Sequence, residues 1–174
     1  MATYKIDASH SEIGFKVKHL MISTVGGSFK TFDATLEVDE ENLQNAQVTF
    51  EADVDSIDTK NEQRDAHLKS DDFFNAAQHP KLTFKSTSIE KAGEGEFKMT
   101  GDLTVRDVTK PVVLHVEYNG RVTDPYGMER MGFEATGKIN RKEFGLKWSA
   151  VTEAGGLVVA DDVKLVLNVE MVKQ

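Results

Sequence analysis

Residues 48–55 read Val48-Thr49-Phe50-Glu51-Ala52-Asp53-Val54-Asp55, so every second side chain is apolar. Successive side chains of a strand point to opposite faces, and this stretch therefore predicts a strand with one buried face. The same period of two recurs along the chain. Its further apolar sets are Ile13-Phe15-Val17, Leu82-Phe84, Val112-Leu114-Val116-Tyr118, Phe133-Ala135-Gly137-Ile139 and Val163-Leu165-Leu167-Val169-Met171.

Turn-forming clusters separate these runs, which predicts short connections between antiparallel strands. The clusters are Gly26-Gly27-Ser28, residues 91–95, Asp124-Pro125-Tyr126-Gly127 and Glu153-Ala154-Gly155-Gly156. About eight strands leave two all-β architectures, a sandwich or a closed barrel. We favour an eight-stranded antiparallel barrel, formed by residues 1–174 as a single domain, because closure removes exposed edges and leaves room for one slender ligand.

Two segments depart from the alternation and predict helix. Residues Thr59 to Ser70 are mostly helix formers, and Thr59-Lys60-Asn61-Glu62 fits a capping box. The low apolar content of this segment predicts a surface helix with one narrow edge against the barrel. Residues Leu20 to Val25 are interpreted as a shorter helical turn.

Composition excludes several classes of function. The 174 residues carry 21 basic and 29 acidic side chains, a formal net charge of −8, which disfavours nucleic acid and anionic membrane surfaces as partners. The chain has no cysteine, so it has no disulfide, thiolate metal site or cysteine nucleophile. No apolar run reaches the roughly 18 residues of a membrane span.

The first residues bear on localisation. Lys5, Asp7, Glu12 and Lys16 interrupt the N-terminal segment, so it contains no apolar core of a signal peptide. We expect a cytoplasmic protein as the sequence is written, or a periplasmic one if a leader was removed.

Five separate motifs follow one another along the chain. They are Ile6-Asp7-Ala8-Ser9-His10-Ser11-Glu12-Ile13-Gly14-Phe15, Arg64-Asp65-Ala66-His67-Leu68, His79-Pro80-Lys81-Leu82-Thr83-Phe84, Gly101-Asp102-Leu103-Thr104-Val105 and Ile139-Asn140-Arg141-Lys142-Glu143-Phe144-Gly145. In combination they resemble the YceI-like family of lipocalin-like lipid-binding barrels, from about residue 4 to the C-terminus. Tyr4 departs from the tryptophan common in that family, and Asp107 from a frequent glycine.

This resemblance implies an eight-stranded lipocalin-like barrel that encloses an isoprenoid chain, such as a polyprenyl phosphate or a quinone tail. It implies no catalytic reaction and no cofactor other than the bound lipid. Because relatives often pair, and because Val113 and Val166 point away from the apolar rows, we expect a homodimer.

The inward faces of the strands are the candidate ligand site. Large inward side chains could instead fill the barrel completely, and the residues alone leave both readings open. Small residues at Ala52, Ala135 and Gly137 favour a slot beside the phenylalanines, as does the resemblance. The predicted cavity-lining residues are Phe15, Val17, His19, Phe50, Ala52, Phe84, Leu114, Phe133 and Ala135.

Arg64 and His67 are three residues apart and therefore share a helix face. They are candidate contacts for a phosphate or quinone head group at the barrel mouth. Alternatively, Arg64 fixes the helix to the barrel, which is the reading we favour.

The histidines suggest two other kinds of site. Asp7, Ser9 and His10 can be written as a catalytic triad, but no nucleophile elbow accompanies them, so we favour hydrogen bonding at a strand end. No two histidines have the spacing of a metal motif, and none is expected to bind metal.

The sequence therefore favours a non-catalytic carrier of an isoprenoid lipid. Two alternatives stay open: an enzyme acting on a small hydrophobic molecule in the same barrel, and a packed interaction module without ligand.

Overall fold

A computed structural model describes residues 1–149 and 158–174. It contains eleven strand segments and one α-helix, while the predicted turn at residues 153–156 lies outside the described residues. The elements are β1 (Ala2–Ile6), β2 (Glu12–His19), β3 (Ser23–Phe29), β4 (Phe32–Asp39), β5 (Asn42–Asp53), β6 (Ile57–Asp58), α1 (Glu62–Lys69), β7 (Lys81–Gly93), β8 (Glu96–Val105), β9 (Val108–Thr123), β10 (Glu129–Asn140) and β11 (Val159–Lys173).

The sheet closes on itself through β11, which pairs with β10 along one edge. Along its other edge, β11 pairs with β1 near its C-terminal end and with β2 over the rest of its length. Three places in this closed ring of strands are each filled by two short strands that follow one another along the chain: β1 then β2, β3 then β4, and β5 then β6. The result is the predicted eight-stranded antiparallel barrel, which confirms closure over the alternative of a sandwich.

The three broken strands bend at neighbouring points of the barrel wall. Two of the bends are 3₁₀ turns, at Ala8–His10 and Val54–Ser56. The Ser56 hydroxyl oxygen accepts a hydrogen bond from the Thr31 amide (3.0 Å), and the Ser56 hydroxyl donates to the Asp53 carbonyl (2.7 Å). These bonds satisfy backbone groups that the interrupted ladder leaves free.

Helix α1 is shorter than predicted and begins later. Asn61 is its N-cap, and the Asn61 side chain accepts a hydrogen bond from the Arg64 amide (3.0 Å). The capping box predicted to start at Thr59 is therefore wrong. The hydroxyl of Thr59 instead donates to the Asp65 carboxylate (2.5 Å), which also accepts the Thr59 amide (2.9 Å).

The helical turn predicted over residues 20–25 is also wrong. Residues 20–22 form the tight turn of the β2–β3 hairpin, and β3 follows from Ser23. Leu20 and Met21 have φ values of +52° and +60°. These two are the central residues of a β-turn in which the Ile22 amide donates to the His19 carbonyl (3.2 Å), and bulky side chains rarely adopt positive φ there.

The two ends of the barrel differ. At one, the Tyr4 end, the side chains of Tyr4, Val38, Met131 and Met171 are almost completely buried in a compact cluster. The Tyr4 hydroxyl there donates to Glu40 (2.9 Å), which also accepts a hydrogen bond from Lys173. The opposite end, the Arg141 end, carries α1, the hairpin turn at residues 20–22 and a 3₁₀ turn at Arg141–Phe144.

Candidate functional site

The barrel encloses an elongated cavity of about 300 Å³ that is walled almost wholly by apolar side chains. This volume lies at the lower end of the range for small-molecule sites, roughly 300–1,000 Å³. The wall extends from Val38 and Met171 at the Tyr4 end to Val17 and Val159 at the Arg141 end. It includes seven of the predicted residues: Phe15, Val17, Phe50, Phe84, Leu114, Phe133 and Ala135.

The other two predicted residues, His19 and Ala52, are not among the residues that line this cavity. Ala52 shares a face with Phe50, but its side chain is buried in the core cluster that contains Val54, Ile57 and Leu82. His19 is the last residue of β2 and lies opposite Ser23, beside the turn at residues 20–22. The alternation of inward and outward side chains continues to the last residue of a strand, whereas the cavity covers only part of the length of the strand.

Glycine at inward positions does not leave open space, contrary to the expectation for Gly137. A side chain at Gly137 would meet the Leu114 methyl group at 2.6 Å. In the same way, the Phe84 ring covers the position of a side chain at Gly101. These glycines therefore accommodate large neighbours, and the cavity lies beyond those neighbours.

Arg141 is the one charged residue in the described part of the cavity wall, and the sequence analysis did not identify it as a site residue. Its side chain is buried at 3% exposure and donates hydrogen bonds to the carbonyls of Ala160 (2.9 Å), Leu146 (2.6 Å) and Val159 (3.3 Å). Burial lowers the pKa of the guanidinium, and the charge of Asp161 opposes this shift. In the sequence, Arg141 stands in the polar stretch Asn140-Arg141-Lys142, which is typical of an exposed turn and does not indicate that the side chain is buried.

Arg64 lies outside the cavity wall, on the outer side of α1. Its Nε donates to the Thr59 hydroxyl oxygen (2.8 Å) and its Nη2 to the Thr59 carbonyl (2.6 Å). Both bonds join the helix to the chain that enters it from β6. The guanidinium is thus engaged in fixing the helix.

His67 also lies outside the cavity wall, within an aromatic group at the Arg141 end. Its Nε2 is 2.8 Å from the Asp72 carboxylate. The centroid of its ring lies 5.1 Å from that of Phe73 and 5.0 Å from that of Trp148, both edge-on. The Arg141 guanidinium lies over the same Phe73 ring, 5.8 Å from its centroid, so this ring lies between His67 and Arg141.

Asp7, Ser9 and His10 come together, but not in the geometry of a triad. The Asp7 carboxylate lies 2.8 Å from His10 Nδ1, and the Ser9 hydroxyl donates to the same carboxylate (2.7 Å). A triad requires the serine and the carboxylate to contact different nitrogens of the imidazole. Here Ser9 also approaches Nδ1 (3.3 Å), and Arg130 holds Asp7 in an ion pair (2.8 Å). This arrangement stabilises a strand bend.

Four of the five histidines, His10, His67, His79 and His115, each lie beside a carboxylate of their own. His79 lies 3.2 Å from Asp107, for example, and His115 lies 3.9 Å from Glu96. Among the described residues, the group with three potential metal ligands close together is Glu96, His115 and Glu117, on the outer surface of β8 and β9. It is not part of the cavity lining, and two of its three residues are exposed. Among the described residues, no helix has the length and hydropathy that crossing a membrane requires.

Comparison with known proteins agrees with this architecture. Protein YceI of Escherichia coli O157:H7 is 43% identical over 175 residues, which cover 99% of this chain and 88% of that protein. The solved structure of the Campylobacter jejuni YCEI protein matches with a TM-score of 0.78 and 36% identity, covering 97% and 96% of the two chains.

A more distant solved structure shares the fold. It is a polyisoprenoid-binding domain from Saccharophagus degradans, implicated in plant cell wall breakdown, with a TM-score of 0.71, 14% identity and 98% coverage of both chains. The YceI-like domain matches residues 4–171 of the sequence, which is nearly its whole length. The chain therefore belongs to the YceI-like domain family, as its motifs predicted.

Proposed function

We propose that this protein binds one long-chain isoprenoid lipid in the barrel interior and stores or transports it without chemical change. The observation that carries this proposal is the continuous apolar wall of the cavity, from Val38 to Val159. Burial of an apolar chain contributes about 25 cal/mol per Å² removed from water, less the cost of ordering the chain.

The class of lipid is supported by the fold shared with the Saccharophagus degradans domain, which is described as polyisoprenoid-binding. A chain of the polyprenyl phosphate or quinone type fits a narrow cavity lined by rings and branched side chains. The lining offers methyl and phenyl groups along its length, so it recognises the tail by shape and hydrophobicity. Selection of the head group then depends on polar groups near one end.

The absence of chemical change is supported by the composition of the wall. General acid–base or nucleophilic catalysis needs a proton donor or acceptor within reach of the bound molecule. In the described part of the wall, Arg141 is the single charged residue, and a guanidinium stays protonated near neutral pH. The Asp7–Ser9–His10 group lies outside the wall.

A homodimer is part of the same proposal. Val113 lies on the outer surface of β9 and is half exposed, so part of the apolar surface of the barrel faces outward. Pairing of two barrels would cover such outward-facing valines. The mass in solution tests this part independently of lipid binding.

The experiment is native mass spectrometry of freshly purified protein, followed by solvent extraction and identification of any retained lipid. The proposal predicts a retained mass that is recovered as an unchanged isoprenoid. A chemically converted product would instead indicate an enzyme. Protein that stays without ligand after incubation with isoprenoid lipids would indicate a packed interaction module.

A further inference from the structure

The β2–β3 hairpin carries an exposed apolar tip, the hairpin tip, formed by Leu20, Met21 and Ile22. These side chains are 38%, 59% and 83% exposed, and none of them is part of the buried core. Consecutive apolar side chains outside the core are typical of a surface that contacts another apolar body.

The geometry of the turn does not account for these residue types. Leu20 and Met21 are its central residues and have φ values of +52° and +60°. Glycine and asparagine adopt positive φ readily, whereas bulky side chains rarely do. Leucine and methionine therefore stand here against the local preference of the backbone, which indicates a role for their side chains outside the turn itself.

The hairpin tip lies beside the rim of the cavity. The Leu20 amide donates to the Val158 carbonyl (2.9 Å), and His19 pairs with Val159, a residue of the cavity wall. A lipid that enters or leaves the cavity at the Arg141 end therefore passes beside the hairpin.

The outer surface next to the tip is basic although the whole chain is acidic. Its lysine group consists of Lys16 and Lys18, exposed on β2, and Lys164, which lies directly opposite Lys16 on β11. On the other side, β3 places the uncharged Gly26 and Thr24 opposite the two lysines of β2. Like charges directly opposite each other destabilise a sheet, so the stability of the barrel does not explain this arrangement.

The lysine group keeps a net positive charge. In the part of the chain that the structure describes, none of its members has a carboxylate within salt-bridge distance. Asp161 and Asp162, which precede Lys164 on β11, are paired with two other lysines (3.2 and 3.3 Å). Residues 150–157 contain a single charged side chain, Glu153, and one carboxylate cannot balance three ammonium groups.

The Tyr4 end provides a contrast, because the β9–β10 hairpin there also exposes apolar residues. They are Val122, Tyr126 and Met128. The charged side chains around them are mutually paired, as in the ion pairs of Arg130 with Asp124 (2.8 Å) and Lys173 with Glu129 (3.0 Å). Among the described residues, the hairpin tip is thus distinguished by the unpaired lysines beside it.

Strand geometry gives the tip and the lysines a separation that suits a bilayer surface. A strand rises about 3.4 Å per residue, so Lys18 and Lys16 lie up to about 7 and 14 Å below Leu20. Amphipathic elements insert their apolar side chains about 5–10 Å into the interface of a bilayer. Lys18 would then lie among the head groups, and Lys16 within the roughly 10 Å over which an anionic surface attracts it.

We propose that the hairpin tip inserts into the interface of an anionic lipid bilayer, with the lysine group against the lipid head groups. The net charge of −8 disfavours adsorption through other faces and so restricts binding to this orientation. The rim of the cavity then faces the membrane, where the lipid enters and leaves. This last step rests on the proposed function, whereas insertion of the tip does not.

A second copy of the chain fits the hairpin tip less well. In a two-fold contact through the tips, the lysine groups of the two barrels would approach each other, and like charges at an interface cost affinity. An anionic bilayer supplies an apolar layer and the opposite charge together.

The test is flotation with phosphatidylcholine vesicles that contain or lack phosphatidylglycerol. The wild-type protein should bind the anionic vesicles about tenfold or more better than the neutral ones. Leu20→Asn/Met21→Gly/Ile22→Ser should lose this binding about tenfold or more, yet fold at least as well as the wild type, because asparagine and glycine suit positive φ. The matched control, Val122→Ser/Tyr126→Ser/Met128→Ser, removes three apolar side chains from the opposite end and should bind as the wild type does.

A second pair of variants isolates the lysine group. Lys16→Gln/Lys18→Gln/Lys164→Gln should reduce binding to the anionic vesicles about tenfold or more and remove its dependence on phosphatidylglycerol. The matched control, Lys85→Gln/Lys98→Gln/Lys110→Gln, changes the net charge equally at exposed positions of β7, β8 and β9, and it should bind nearly as the wild type does. Circular dichroism verifies that all four variants fold.

Wild-type protein that does not float with anionic vesicles would overturn the inference, as would equal losses in a variant and its control. Light scattering identifies the other occupant of the tip, a second copy of the chain. Conversion of a wild-type dimer to a monomer by the tip substitutions would assign the tip to that interface and also overturn membrane insertion.

Uptake of fluorescently labelled geranylgeraniol from the anionic vesicles tests the transfer step. The tip variant should take up this lipid about tenfold more slowly than the wild type but reach the same occupancy, because its cavity is unchanged. Equal rates would overturn the role of the tip in transfer. If the wild-type protein floats but takes up no lipid, the proposed function fails and insertion of the tip stands.

Discussion

Phe15 on β2 lies directly opposite Gly27 on β3, and the Phe15 ring covers the space that a side chain at position 27 would need. The ring forms part of the cavity wall, so Gly27 helps set the position of that wall. A methyl group at position 27 would also approach the Thr59 methyl to 2.8 Å. The pair therefore connects a backbone requirement on β3 to the shape of the ligand site.

The first prediction concerns this pair. Gly27→Ala should push the Phe15 ring toward the cavity and destabilise the protein by about 1–3 kcal/mol, because a packed wall tolerates added volume poorly. Thermal melts and lipid titration measure both effects. Gly26→Ala is the matched control, since the nearest atom to its new methyl would be the Phe15 carbonyl oxygen at 3.9 Å. Equal behaviour of the two variants would contradict the assigned contact.

The second prediction concerns Arg64. Because its guanidinium bonds to Thr59, Arg64→Met should lower stability by about 1 kcal/mol, or roughly 2–4 °C in melting temperature. Affinities for geranylgeranyl phosphate and geranylgeraniol should change alike or not at all. Combining Arg64→Met with Thr59→Val should cost less than the sum of the single changes. A selective loss of the phosphate with an unchanged melt would instead make Arg64 a head-group contact.

The third prediction concerns acid stability. The Arg130 guanidinium, together with His10 and Ser9, holds the pKa of the Asp7 carboxyl well below its ordinary value of 3.8. Because the folded pKa is depressed, the stabilisation is complete above the unfolded pKa and is lost as pH falls below about 4 through the folded pKa. The pKa of His10 is raised by Asp7, so the contribution of His10 is complete below about 6.5 and is lost as pH rises through its folded pKa.

Asp7→Asn should therefore cost about 1–3 kcal/mol at pH 7, with the difference from the wild type narrowing below pH 4. Melting temperatures at several pH values between 3 and 7 provide the comparison. Asp33→Asn is a suitable control, because Asp33 forms only an exposed pair with Lys5 (3.2 Å). If the wild-type and Asp7→Asn curves run parallel across this pH range, the linkage assigned to Asp7 is wrong.

The fourth prediction is the oligomeric state. If two barrels pair over outward-facing apolar residues, light scattering should give the mass of a homodimer. Substitution of the half-exposed Val113 by Asp should shift the distribution toward monomer if β9 lies in the interface. A monomeric mass for the wild-type protein at tens of micromolar would exclude the dimer.

The alternation of apolar residues was sufficient to predict the strands and to identify inward residues such as Phe50 and Phe133, whereas closure into a barrel was favoured over a sandwich on other grounds. It could not predict how far the cavity extends along each strand, and His19 and Ala52 are not among its lining residues. The turn at Leu20 and Met21 escaped notice because its positive φ values occur at residues that rarely adopt them. Arg141 was missed as a wall residue because its burial depends on carbonyls of Leu146 and Ala160, which only the folded chain brings together.

The central claim is that the interior of the barrel holds an isoprenoid lipid, and Ala135 gives the most direct access to it. Ala135 lines the cavity between Val116 and Leu167, whereas its neighbour Thr136 is exposed on the outer face. Native mass spectrometry should compare the wild type with Ala135→Trp and Thr136→Trp, all verified as folded by circular dichroism. We predict retained isoprenoid in the wild type and in Thr136→Trp, and a loss of about tenfold or more in Ala135→Trp. Undiminished retention by folded Ala135→Trp would contradict the claim that this cavity is the binding site.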